Sequence, residues 1–421
     1  MMITETIKLN ENSILKRKEE ARFRVSDFLI VLFWIVYLFV RLWIADSENL
    51  SEAYKAVMVV PYINKNTGTI MLLLTCLILG CLFLLNRLKF DNIFPAFLLR
   101  IVLYFIPVLY LEGDFQYGIA FAIIQTMLAY YIGYNYKGKL NIIINILIVA
   151  TLILLGQIFY VIIYNNLSIF ENTKYFMRLP GGQTNYLGVF LVASYILVDL
   201  FYSNSKNFFK YVYLGLIWVG VWCVGTRSGL LILVGYYCFK WGRTFYRNLK
   251  QKNIWEKKRK HFLLKTLFII IICCFFGIFF FLIKDEILYR LSAFTVEGMT
   301  TNRLQVYADV VELIFQHPIL GRSAYSYIAF DTKYSHNFLL ESLNQTGIIG
   351  TCIYLLIWGY CFKKISKIRE EKIRFLFQIF ILITLIHGSV EPNLFSIISD
   401  TFVWFLLGIG CGYSNRLKDK R

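Results

Sequence analysis

The chain has 421 residues, of which 58% are hydrophobic and only 17% charged. Soluble domains average about 45–50% apolar and about 25% charged, so the composition excludes an ordinary soluble enzyme and points to an integral membrane protein. A net charge of +18 would suit a nucleic-acid binder, but the basic residues sit between apolar runs, which is the footprint of membrane topology and not of a nucleic-acid surface.

Residues 1–26 are polar, and the first apolar run already has span length, so a cytoplasmic N-terminal segment is expected with no cleavable signal peptide. Apolar runs follow near 27–45, 68–86, 92–111, 116–134, 140–164, 184–202, 209–225, 228–241, 263–283, 336–361, 375–390 and 396–413. They predict an all-α, polytopic protein with about 12 transmembrane helices in one domain over 27–415 and a cytoplasmic tail at 416–421. The runs 228–241 and 375–390 fall short of the roughly 20 residues a span needs. All nine cysteines lie in apolar runs or at their ends without metal-ligand spacing, and read as small buried hydrophobes.

With twelve spans both termini share one side, and the loops assigned to that side hold 32 of the 44 basic residues. Ten lie on the other side, and Arg41 and Arg100 fall within spans. The excess marks the first side as cytoplasmic. The basic stretch 240–265, with its cytoplasmic loop at 241–262, then reads as an orientation signal on anionic headgroups, and His261 within it reads the same way. Two outer loops are long, 165–183 and 284–335, and long loops on a rigid scaffold are where function concentrates.

Outer cations are disfavoured by the charge rule, so they are the informative ones. Arg227 lies in VGTRSGLL at a tight outer turn; it is either an arginine snorkelling to the interface or a ligand for a lipid-linked phosphate, for which its small neighbours leave room. Arg178 precedes a Pro-Gly-Gly turn, with structural and binding roles equally open. Arg303 opens an amphipathic helix in which Leu304, Tyr307, Val311 and Ile314 recur at near-helical spacing, with Thr300 or Thr301 as cap and Pro318 as stop. It either binds an anion or pairs with Asp309 or Glu312. His317 reads as structural.

His336 is the strongest single candidate. A second helix is expected from Ser335, with His336 in its first turn at the membrane boundary. Asn337, Glu341, Asn344 and Gln345 form a polar stripe in a run that should be apolar, and such stripes face a cavity or the protein interior. The helix dipole keeps an N-terminal imidazole neutral, so it can take a proton from a hydroxyl; capping is the alternative. His387, near an outer helix end and followed by Glu391, is a further candidate. No GxxxxGK[ST] loop, GxGxxG fingerprint or DxD pair is present, so a nucleotide or a metal–nucleotide-sugar site has no support. A synthetic reaction on the outer face therefore calls for a pre-activated donor such as a lipid pyrophosphate.

Three separated stretches carry a family resemblance: RLPGGQTNYLGVFLV at 178–192, VGTRSGLLILV at 224–234, and NRLQVYADVVELIFQHPILG with SHNFLLESLNQTGIIG at 302–321 and 335–350. In this order, about a basic cytoplasmic loop, they resemble the O-antigen ligase and polymerase superfamily. The turn reads Thr-Arg-Ser-Gly where many members have Ser-Arg-Gly. The resemblance implies a GT-C-like membrane glycosyltransferase that uses undecaprenyl-pyrophosphate-linked oligosaccharide, inverts the anomeric centre and needs no cofactor or metal. Carried onto this chain, it implies that Arg227 and Arg303 hold the pyrophosphate and that His336 activates the acceptor. Beside it, the residues suggest Glu341 or His387 as the group orienting His336, with Arg178 and Asn337 as further substrate contacts.

The expected activity is polymerisation of lipid-linked repeat units into capsular polysaccharide, exopolysaccharide or O-antigen at the outer face of a bacterial cytoplasmic membrane. Its expected partners are the lipid carrier, the bilayer, a flippase and a chain-length regulator, and not nucleic acid. A ligase using another acceptor is the near alternative. A polysaccharide-lipid flippase, which Arg41 and Arg100 would suit, is the distant one.

Overall fold

The structure, a computed structural model, describes residues 25–38, 67–109, 117–164, 184–203, 207–224, 227–250, 296–322, 337–388 and 397–416. Within these residues it is all-helical and has no strand. The helices are α1 (Val25–Leu38), α2 (Thr67–Leu84), α3 (Phe94–Phe105, continued by a 3₁₀ turn over Ile106–Leu109), α4 (Tyr117–Asn135), α5 (Leu140–Tyr164) and α6 (Thr184–Phe201). They continue as α7 (Phe208–Val224), α8 (Arg227–Lys250), α9 (Val296–Gln316), α10 (Phe338–Ser366), α11 (Glu371–Gly388) and α12 (Ile397–Arg416). Two of them, α5 and α10, are long and apolar enough to cross a membrane. The expected run 263–283 lies outside the described residues, and the run 228–241 is the start of a longer helix that continues into the basic stretch.

The hub is α12, which is apolar almost all round and therefore buried. Its Phe405 stacks on Trp34 of α1, with ring centroids 4.6 Å apart, and its Trp404 packs on Phe97 of α3 and Trp358 of α10. Phe402 meets Phe380 of α11 and Phe190 of α6. Against α4 the approach is closer still. A Cβ on Gly408 would overlap the Tyr130 carbonyl, one on Gly412 the Tyr134 carbonyl, and one on Gly133 the Phe405 carbonyl. Gly408 and Gly412 form a small-xxx-small pair, the pattern that lets helix backbones touch where lipid leaves little hydrophobic drive for association.

α10 is not straight. Gly347 within it has φ 61° and ψ −167°, far from helical values. In a continuous helix Phe338 and Tyr354 would stand about 24 Å apart, yet their ring centroids are 6.1 Å apart. The Thr351 hydroxyl likewise donates to the Ser342 hydroxyl at 3.0 Å across the reversal. The chain rises as a half-helix over 338–346, turns back at Gly347, and runs down a long arm over 348–366 that ends at Lys363 and Lys364. A single apolar run in the sequence is therefore an antiparallel pair.

The cysteines divide. Cys223, Cys361 and Cys411 are buried as expected, whereas Cys76, Cys238 and Cys352 are exposed on apolar helices. A thiol suits an outward apolar face as well as a packed one.

Candidate functional site

The half-helix is built from residues that an apolar span would reject. Glu341, Ser342, Asn344, Gln345 and Thr346 are all buried, and Glu341 is 0% exposed. Buried polar groups persist where protein partners or a lined cavity receive them. Asn337 caps the start: its Oδ1 accepts from the N–H groups of Leu339 at 2.9 Å and Leu340 at 3.2 Å. The helix thus begins at Phe338, three residues later than expected. His336 precedes the cap instead of standing in the first turn, and it lies outside the described residues.

The reversal also sets the level of that start along the long arm. Phe338 is level with Tyr354, about 10 Å down the long arm from the Gly347 reversal. The start of the polar segment therefore sits well down the long arm instead of at its Gly347 end. Arg100 of α3 is brought to the same level; it is 5% exposed, with its guanidinium carbon 4.3 Å from the centre of the Tyr354 ring. The sequence reading gave Arg100 a place only in a flippase.

Reversing a helix frees backbone groups, and a second segment takes them up. The Ile348 N–H donates to the Pro318 carbonyl at 2.9 Å and the Ile349 N–H to the Ile319 carbonyl at 3.4 Å. In return the Arg322 N–H donates to the Asn344 carbonyl at 2.7 Å. Gly321, at φ 74°, lies so close to Gln345 and Thr346 that a Cβ there would overlap their backbone, and a Cβ on Gly347 would overlap Ile319. The His-Pro-Ile-Leu-Gly turn after α9 and the reversal of α10 are therefore one interlocked unit. The two segments of the third resembling stretch meet backbone to backbone.

α9 enters this unit with Val306 and Val310 buried, while Tyr307 and Ile314 are only half-buried and Val311 is exposed. A helix is present as expected, but it starts at Val296, so Arg303 does not open it and Thr300 and Thr301 lie within it instead of capping it. Its packed face is also rotated from the one the spacing suggested. By helical register, position 303 falls on the face of Val310, two turns away. The side chain of Arg303 is outside the described part, as is that of Arg227, whose backbone is the first residue of α8. Residues 225–226, where a tight turn is expected, lie outside the described residues. A helix start carries unpaired N–H groups and partial positive charge, which adds to an arginine there for an anion. Arg178 lies outside the described residues.

His387 closes the last turn of α11 and is 1% exposed. α11 packs on α10 and α12, so His387 belongs to the same bundle core as Glu341. Sequence reasoning missed Gly321 and Gly347 as the joint of the site, and gave no role to Arg322, which the Asn344 hydrogen bond fixes beside the half-helix. The signal for the joint was present in the glycine that ends the polar cluster Asn344-Gln345-Thr346. No protein-family model matches the chain, and no curated protein matches it.

Proposed function

We propose that this chain is a multi-span glycosyltransferase of the bacterial cytoplasmic membrane that polymerises lipid-pyrophosphate-linked repeat units at the outer face. Both termini and the 240–265 stretch then face the cytoplasm, in keeping with the distribution of basic residues. One observation carries the reading: the Gly321–Gly347 interlock joins the helix bearing Arg303 to the buried polar half-helix bearing Asn337 and Glu341.

In this reading Arg227 and Arg303 hold the donor pyrophosphate and stabilise charge growing on the leaving oxygen. Such stabilisation is worth most in a water-poor site. His336 takes the proton of an acceptor hydroxyl as that oxygen attacks the anomeric carbon, and Glu341 or His387 orients it. The acceptor is a second lipid-linked repeat in a polymerase, and a different lipid or glycan in a ligase. A flippase is the second reading, favoured by the buried Arg100 beside Tyr354.

The test is purified protein in detergent with lipid-linked repeat units and no nucleotide. Wild type should give a ladder of polymer, and His336→Ala should lose it roughly 10²–10⁴-fold, as expected for a positioned general base. Cells carrying that variant should accumulate the single repeat on the outer face. Accumulation on the inner face instead, with lipid transfer across vesicles by the wild type, would establish the flippase.

A further inference from the structure

Over residues 306–316, α9 has three faces with three different characters. Val306 and Val310 are buried. Asp309, Glu312 and Gln316 recur at three- and four-residue spacing and form one narrow polar strip. The remaining outward face is apolar: Val311 is exposed, Phe315 is 75% exposed, and Ile319, in the turn that continues the helix, is 61% exposed. A helix bathed in water on its free side would not show large apolar side chains in a row beside so narrow a polar strip.

The surface that this face joins identifies its occupant. The hydrogen bonds from Ile348 and Ile349 to Pro318 and Ile319 set the α9 turn against the head of the long arm of α10. Ile348 and Ile349 are themselves exposed, and the outward side continues down the arm through Leu355, Leu356 and Phe362. No charged residue occurs between Ile348 and Phe362, and Lys363 and Lys364 close the far end. A charge-free outward face on a helix apolar enough to span is a lipid face. Ile319, whose carbonyl accepts from the Ile349 N–H, stands at the corner between that face and the exposed Phe315 and Val311.

We propose that α9 is an interfacial helix, seated in the lipid of the leaflet at the Gly347 end, with its polar strip toward water and Val306 and Val310 toward the protein. The burial of apolar area at the headgroup boundary holds such helices in the plane of the membrane. The seat fixes the height of position 303 relative to the bilayer surface, where the headgroup of a lipid-linked donor lies. This inference rests on the membrane-spanning part of the proposed function and not on its chemistry.

The experiment is nitroxide labelling of single cysteines in a cysteine-free variant, reconstituted in phosphatidylethanolamine–phosphatidylglycerol vesicles. Oxygen partitions into lipid and a nickel chelate into water, so their collision ratio reports the phase. Labels at Phe315 and Ile319 should give an oxygen-to-nickel ratio close to that at Leu356 and several-fold above that at Gln316. Val311→Cys is the second reporter should either variant fold poorly. Ratios at 315, 319 and 311 matching Gln316 would place this face in water and overturn the proposal. Protection from both reagents would show a segment of protein covering it, and would overturn it equally. A water-like ratio at Leu356 would remove the spanning helix and this seat together. Failure of the unlabelled protein to form polymer, with these ratios as expected, would count against the proposed chemistry alone.

Discussion

Gly347 and Ile319 meet backbone to backbone: a methyl group on the first would overlap the carbonyl of the second. The contact holds because Gly347 carries φ 61°, a conformation that side chains with a Cβ rarely adopt, and because Gly321 makes the reciprocal approach to Gln345 and Thr346 at φ 74°. Irregular backbone inside a membrane bundle is tolerated only where protein or a lined cavity satisfies it. Here the turn after α9 supplies the carbonyls, so the polar half-helix exists because that turn is docked against it.

Gly347→Ala and Gly321→Ala should therefore each cost at least the roughly 1–3 kcal/mol of a residue forced into a sparsely populated backbone region, before any overlap is counted. Gly359→Ala is the comparison: it lies in the long arm of the same helix, and a Cβ there meets nothing within 4 Å. That substitution should be neutral or stabilise by up to about 1 kcal/mol. Thermal unfolding in one detergent ranks the three. Equal stability of Gly347→Ala and Gly359→Ala would contradict the interlock.

The sequence made the existence of the helices plain, because continuous apolar runs announce themselves; the run at 140–164 coincides with α5 over Leu140–Tyr164. It concealed the reversal at Gly347, since a hydropathy window reads the same in either direction. The packed face of α9 was misjudged for a related reason. Val310 and Phe315 lie on different sides of the helix and both are apolar, so periodicity alone could not say which faces protein. The Gly408–Gly412 spacing was readable and went unread; its meaning depended on Tyr130 and Tyr134 standing opposite. Of the candidate residues, Glu341 lies in a buried polar stripe, as its place in an apolar run implied, and His387 stands in the last turn of its helix.

A second stability prediction concerns Asp199, which ties three helices. Its carboxylate pairs with Lys210 of α7 at 3.1 Å and with Lys240 of α8, and accepts from the Tyr236 hydroxyl at 2.7 Å. The Asp199 and Lys210 side chains are 8% and 7% exposed, but that of Lys240 is 38% exposed. Breaking a buried pair from one side costs about 3–5 kcal/mol because the other charge is stranded, whereas an exposed partner contributes about 0–1 kcal/mol. Asp199→Ala should thus lower the unfolding temperature far more than Lys240→Ala. A reversed order would contradict the buried Asp199–Lys210 pair as the main tie.

For the chemistry, the sharpest test uses substitutions that keep charge. Arg303→Lys and Arg227→Lys retain a cation but lose the planar fork that matches phosphate oxygens. Each should give a large loss of polymer at normal protein level, and the double variant should be inactive. Wild-type polymer from the double lysine variant would rule out specific clamping of a pyrophosphate by these two residues.

Asn337 separates two roles that the site combines. Its Oδ1 accepts from the Leu339 and Leu340 N–H groups and so caps the half-helix. Asn337→Ala removes that acceptor and should cost about 1 kcal/mol of stability. Asn337→Asp keeps the acceptor and adds a negative charge at a helix start, worth a further 0.3–1 kcal/mol or so where the dipole is unscreened. The aspartate variant should therefore be at least as stable as wild type. If an anionic donor binds beside this cap, the same charge repels it, and polymer formation should fall sharply while stability does not. The two readouts, unfolding temperature and ladder intensity, should move in opposite directions for aspartate and together for alanine. Wild-type polymerisation by Asn337→Asp would leave Asn337 a cap alone and move the donor away from the half-helix start.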